Sequence, residues 1–105
     1  MNILIIHYHL RAGGVTRVIE SQAKILREQG HEIQIASSGP QQEWAKPGVI
    51  LAELDYKTGG TIPVERLLEQ KADLWIIHNP TLGLNVNFPE MIETAARAEV
   101  PILMQ

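Results

Sequence analysis

The chemistry most legible in this chain lies in the stretch His7-Tyr8-His9-Leu10-Arg11-Ala12-Gly13-Gly14-Val15. Two adjacent glycines ahead of a helical segment let backbone N–H groups approach an anion closely, and a helix N-terminus adds favourable partial charge there. Arg11 and Arg17 stand on either side and offer charge-assisted contacts to a phosphate. The same glycines also serve a plain, tight strand-to-helix turn, and the pattern alone leaves both uses open. A second polar point is His78-Asn79-Pro80, at the end of the apolar run Leu74-Trp75-Ile76-Ile77. Ligand binding and a simple turn compete there. His7 and His9 are expected to point to opposite sides of a strand end, and His31 to serve as a helix-exit residue. No compact His/Asp/Glu cluster is apparent, so no metal site is expected.

The elements that position these residues follow from hydrophobic periodicity. Apolar runs predict five strands, over residues 3–7, 32–36, 49–54, 73–78 and 101–104. The first and fourth are nearly unbroken in Ile, Leu, Val and Trp, as in strands covered on both faces of a parallel sheet. Val15, Val18, Ile19, Gln22, Ile25 and Leu26 fall at helical spacing, with Glu20, Lys24, Arg27 and Glu28 left to face water. Gly30 is expected to close that helix in a left-handed conformation. A second helix is predicted after Thr61, with Pro63 in its first turn and Leu67 and Leu68 on the buried side. A third starts near Asn87 and Pro89 and runs through Met91, Ile92, Ala95 and Ala96 to about Ala98. Residues 41–45 form a short helix or nothing regular. This alternation predicts a Rossmann-like α/β fold, a parallel sheet of about five strands in the order 3-2-1-4-5 with helices on both faces.

The chain has 105 residues, 45% apolar and 20% charged, enough for one domain with a modest core. Its net charge of −3 argues against a nucleic-acid binder, which would carry a basic stripe. The absence of cysteine excludes disulfide scaffolds and thiolate chemistry. The start lacks the basic and long apolar regions of a secretory signal, and a cytoplasmic protein is the expectation, with peripheral membrane contact through other parts left open. A dinucleotide site is disfavoured. The glycines do not form G-x-G-x-x-G, with Arg at positions 11 and 17, and the second strand ends Ala36-Ser37-Ser38 with no acidic residue for a ribose. Receiver-domain carboxylates and the Gly-Lys-Ser/Thr of a P-loop are missing as well. Pro101-Ile102-Leu103-Met104-Gln105 reads as an apolar strand cut off inside a larger fold.

Taken in order, several segments resemble the N-terminal domain of family-four retaining glycosyltransferases of GT-B architecture. They are the apolar opening strand, Arg11-Ala12-Gly13-Gly14-Val15-Thr16-Arg17, Gly30-His31-Glu32, Asp73-Leu74-Trp75-Ile76-Ile77-His78-Asn79-Pro80 and Ala98-Glu99-Val100-Pro101-Ile102. The chain departs from that pattern at Ile76, where the family often has a first histidine; His78 keeps the second. The resemblance covers nearly the whole chain and is weakest over residues 39–60. It implies a transferase with two Rossmann-like domains, this one binding the acceptor and a C-terminal one gripping a nucleotide-sugar donor. Gly13 and Gly14 would then face the donor diphosphate, with Arg11 as a neighbour. The loop after the fourth strand, with His78 and Asn79, would line the acceptor side. No cofactor or metal is implied. The family's acidic donor motif is absent, and its His or Asp after the fifth strand would fall beyond Gln105, so no catalytic residue is assigned. This region is expected to be inactive alone and to self-associate as a homodimer near its fifth strand. The alternative is a stand-alone α/β module that binds a small anion or a partner.

Overall fold

A computed structural model describes residues 1–56, 60–80 and 84–105. The strands are β1 (Asn2–Ile6), β2 (Glu32–Ser37), β3 (Gly48–Ile50), β4 (Leu74–Ile77) and β5 (Ile102–Met104), and the helices α1 (Gly14–Glu28), α2 (Val64–Leu68) and α3 (Phe88–Arg97). All pairings are parallel, in the order β3-β2-β1-β4-β5, as the strand–helix alternation predicts. β1 is central, with Ile5 opposite Ile35 on one side and Ile76 on the other.

Pleating divides the core in two. Ile3 and Ile5 of β1 join Ile33, Ile35 and Ile76 under Ile19 and Ala23 of α1. Leu4 and Ile6 face the other way, with Trp75 and Ile77, and are covered by Leu67 of α2 and Phe88, Met91 and Ala95 of α3. Helices therefore lie on both faces.

α1 ends as its sequence predicts. Gly30 takes φ +92°, its N–H bonds Arg27 O and the N–H of His31 bonds Leu26 O, which satisfies two orphan carbonyls. Three expectations need correction. The third strand stops at Ile50, because Leu51 and Leu54 are buried three residues apart and a 3-10 turn over Ala52–Leu54 supplies that spacing. Arg27 does not face water: its guanidinium donates to the carbonyls of Trp44 (2.5 Å), Lys46 (3.0 Å) and Ile33 (3.2 Å), clamping α1 to the chain before β3. Val18 and Ile25, at helical spacing with the core residues, are instead 56% and 54% exposed. They project on the flank of α1 away from Ile19 and Ala23. The third helix ends at Arg97, and Ala96 is exposed.

β3 runs close to its neighbours. A Cβ on Gly48 would stand 2.6 Å from Ile35 O and 2.9 Å from Ala45 O, so only glycine fits where β3 joins β2.

Candidate functional site

Function in an open parallel sheet gathers beyond the carboxyl ends of its strands, and here the ends of β1 and β4 open into a cleft of about 230 Å3. Gly13, Gly14, His7, His9, Tyr56 and Asn79 are among its lining residues.

The glycine loop forms one wall. Gly13 is extended (φ 161°, ψ 176°), a conformation that any residue can adopt. A Cβ on either Gly13 or Gly14 would meet nothing within 4 Å. Packing therefore does not require glycine at these positions. α1 starts at Gly14 without a side-chain cap and with no acidic residue in its first turn. Its first N–H groups lack intrahelical carbonyls by geometry and remain available at the cleft. Thr16 Oγ1 donates to Arg11 O at 2.6 Å and fixes the loop against the helix.

Arg11, expected beside a phosphate, is instead a partner of Asp55. Its guanidinium makes a two-pronged contact at 2.8 and 2.9 Å. That contact, helped by the Tyr56 N–H at 2.8 Å, holds the Asp55 carboxyl down at about 2. The arginine also lies 5.8 Å from the centre of the Tyr56 ring.

The floor is aromatic. Tyr8 stacks on Phe88 at 4.5 Å and donates its hydroxyl to Asn79 O at 2.7 Å, so the end of β1 is fastened to both β4 and α3. Burial raises the Tyr8 pKa, with Tyr56 adding to the effect. His9 accepts the Arg11 N–H on Nδ1 at 3.0 Å. A neutral His9 therefore carries its proton on Nε2 and donates it to the Tyr56 hydroxyl, 2.9 Å away. Tyr56, having accepted there, keeps its own O–H free to donate. Desolvation and then the charge of Arg11 lower the His9 pKa.

His7 is 3% exposed. Its Nδ1 lies 3.3 Å from the carbonyl of His78, which can only accept, so Nδ1 bears the proton. Burial pushes its pKa down to about 4, against the opposing pull of that hydrogen bond, and the ring is neutral near pH 7. The lone pair is then on Nε2. The rings of His7 and His9 are 5.5 Å apart, which overturns the expectation that they point to opposite sides. Residues two apart on extended chain share a side. Among the described residues no group of three or more His, Cys, Asp or Glu is placed to hold a metal ion.

Of the sequence-expected site residues, Gly13, Gly14 and Asn79 come together in the cleft, while Arg11 sits on its rim bound to Asp55. His78 turns away. Its Nε2 meets Gln22 Oε1 at 2.8 Å on the α1 side, in the shallow recess shared with Val15 and Val18. Burial lowers its pKa. Asn79 holds φ 53°, a left-handed conformation that asparagine tolerates well. The rest of the loop after β4, expected on the acceptor side, includes residues 81–83, which lie outside the described residues.

Sequence reasoning missed Tyr8, Asp55 and Tyr56 as members of this site. Asn85 explains how the last two arrive: buried, it donates to the carbonyls of Glu53 and Asp55, both at 2.8 Å, and pins that segment beside the first loop. Asn87 continues the arrangement by donating to Gly60 O at 2.6 Å. Among the described residues no helix is long and apolar enough to cross a membrane. No protein-family model matches the chain, and neither does any curated protein or solved structure.

Proposed function

We propose that this chain forms the acceptor-side wall of a nucleotide-sugar-dependent glycosyltransferase of the two-domain GT-B kind, with the glycine loop turned toward the donor diphosphate. The observation that carries the reading is the state of Gly13 and Gly14. They face an open cleft at the N-terminus of a fifteen-residue helix, and nothing in the packing calls for glycine at either position. A ligand that must come close to the backbone does call for it, because a side chain would hold a phosphate away from the N–H groups. With Arg11 engaged by Asp55, the loop's contribution is its N–H groups and the helix dipole rather than a free cation. One wall grips a nucleotide poorly, since binding must offset the lost freedom of the ligand with half the contacts. Weak binding and no sugar transfer are therefore expected from these residues alone.

The test is a titration of the labelled chain with UDP and with inorganic phosphate, followed by the backbone amide resonances. Saturable, millimolar shifts centred on residues 13–16, lost in Gly13→Val, are expected. The absence of any saturable shift there, or an equal response in Gly13→Val, would overturn the assignment of the loop. Sugar transfer by these residues alone from any nucleotide sugar would overturn the division of labour between two walls.

A further inference from the structure

The sheet ends on one side at β5, and the hydrogen-bond ladder fixes which of its main-chain groups look outward. The Trp75 N–H donates to Pro101 O and the Gln105 N–H to Ile77 O, both at 2.9 Å, so residues 101, 103 and 105 are turned toward β4. Ile102 and Met104 alternate with them and aim their N–H and C=O groups away from the sheet, where no main-chain group of the described residues meets them. Pro101 does not blunt this edge, because its missing N–H belongs to the inward set. Charge does not blunt it either, since Ile102-Leu103-Met104-Gln105 carries none. Such an edge is a template for another strand. At the opposite edge, β3 is bracketed by Lys46 and Glu53.

The surface beside the edge is apolar. Leu103, next to Ile76, lies on the α1 face and is 45% exposed; Met104, next to Ile77, lies on the α3 face and is 55% exposed. Ile102 packs into the core that α3 covers. The flank of α3 toward α2 is made by Asn87, Glu90, Met91 and Thr94, which share a recess with residues 61–65. The helical repeat therefore sets Ile92 and Ala96 on the other flank, over the open side of β5, with Glu93 at its rim. Ile92 is half-buried and Ala96 exposed. The helix is also divided in charge, with Glu90 and Glu93 in its first half and Arg97 at its end.

We propose that this surface receives a second copy of the same chain, related by a two-fold axis through Leu103, so that β5 pairs antiparallel with its counterpart and the two α3 helices lie side by side. Symmetry is what selects a copy over any other strand. With Leu103 opposite Leu103 as a non-hydrogen-bonded pair, Ile102 of each copy faces Met104 of the other, and all the outward N–H and C=O groups of both residues are taken up. Helices related by the axis run antiparallel, so Arg97 of each lies toward the half of the other that holds Glu90 and Glu93. One short edge and one helix flank bury about 800 Å2 per partner or less, the size of a standard interface, so a micromolar, reversible dimer is expected rather than a permanent one. The proposal is independent of the transferase reading, since no residue of β5 or α3 lines the cleft among the described residues.

Analytical ultracentrifugation from micromolar to millimolar chain should show a reversible monomer–dimer equilibrium. The amides of Ile102 and Met104 should gain protection from hydrogen exchange only at the dimeric end of that range. In a mixture of isotope-labelled and unlabelled chain, the Leu103 Hα of one copy should show a filtered nuclear Overhauser contact to that of the other, the signature of the antiparallel pair. Leu103→Lys sets like charges opposite each other across the axis, and Ala96→Lys holds the two α3 helices apart. Both positions are exposed in the single chain, so each variant should keep its melting temperature when dilute. The dissociation constant should rise about tenfold in each, the loss of one central contact. A monomer throughout the series would overturn the proposal and leave the edge to a strand of a different protein. Exchange at Ile102 and Met104 that does not depend on concentration, protection at Gly48 and Ile50 of β3 in their place, or a dimer untouched by both substitutions would overturn it as well. Should either variant unfold, the wild-type Leu103 contact decides.

Discussion

Acidification should weaken this fold in a window set by His7. The ring is buried neutral, with its pKa brought from 6.5 to about 4 by loss of hydration. An unfolded chain binds that proton near pH 6.5, while the folded one resists until about pH 4. Between those values the unfolded state holds more protons, so stability falls as pH falls. Above pH 6.5 the His7 contribution is constant, and below pH 4 it changes no further. Two and a half pH intervals at about 1.4 kcal/mol each give a loss of about 3 kcal/mol, a large part of the stability of a small domain. His9 and His78, both lowered chiefly by desolvation, act in the same direction. Asp55 acts lower down: its carboxyl, brought from 3.8 to about 2 by Arg11, loses its stabilising effect only below about pH 4. Urea denaturation from pH 7.5 to pH 4, on wild type and His7→Asn, isolates the His7 share as the difference between the two slopes. A wild-type stability that stays level between pH 7 and pH 4.5, or identical slopes for the two proteins, would refute the reasoning. So would a directly titrated His7 pKa near 6.5.

Gly48→Ala should destabilise by about 1–3 kcal/mol, the usual cost of forcing atoms into a filled site, since its Cβ meets two backbone oxygens that cannot swing away; a melting temperature equal to wild type would show that β3 does not approach β2 this closely. Arg27→Met should cost about 1–3 kcal/mol by leaving carbonyls without their charged donor, and Arg27→Lys should recover only part of it; an unchanged urea midpoint would remove the clamp from the account of α1. Gly13→Val should melt near the wild-type temperature while losing the phosphate response, because its Cβ has open space and its backbone is extended; a large fall in melting temperature would return the glycine to a purely structural role.

The sheet was legible because its evidence is local and repeated. Strand–helix alternation and the unbroken apolar runs at Ile3-Leu4-Ile5-Ile6 and Leu74-Trp75-Ile76-Ile77 specify a buried parallel centre, and handedness supplies the order. The end of β3 was harder to read. Val49 and Leu51 alternate as a strand does, and the step of three to Leu54 marks the change to a turn, but apolar residues at 49, 50, 51 and 54 blur it. Val18 and Ile25 misled in the other direction, since apolar character does not say which flank of a helix is covered. Half of the cleft was visible as the glycine loop and the end of β4. The other half was hidden because Asp55 and Tyr56 reach it through Asn85, some thirty residues along the chain, and no spacing rule connects such positions. The engagement of Arg11 by Asp55 was invisible for the same reason.

The pairing of β1 with both neighbours has a consequence for how the cleft comes into being. Ile3 meets Ile33 across about thirty residues and Leu74 across about seventy, and closing the longer loop from an open chain costs about 0.8 kcal/mol more in entropy. Once β2 has docked, the span left to β4 shrinks to about forty residues, and the excess falls to about 0.3 kcal/mol. The first closure brings α1 and the glycine loop into register with β1. The second brings the His78 carbonyl under His7. Before β4 arrives, His7 has neither that acceptor nor the burial that suppresses its charge, so its proton affinity is that of an ordinary histidine. Refolding near pH 5.5 should therefore release protons as these rings are buried, with His7 the largest contributor beside His9 and His78, and the His7→Asn difference in a pH-indicator trace reports the docking of β4.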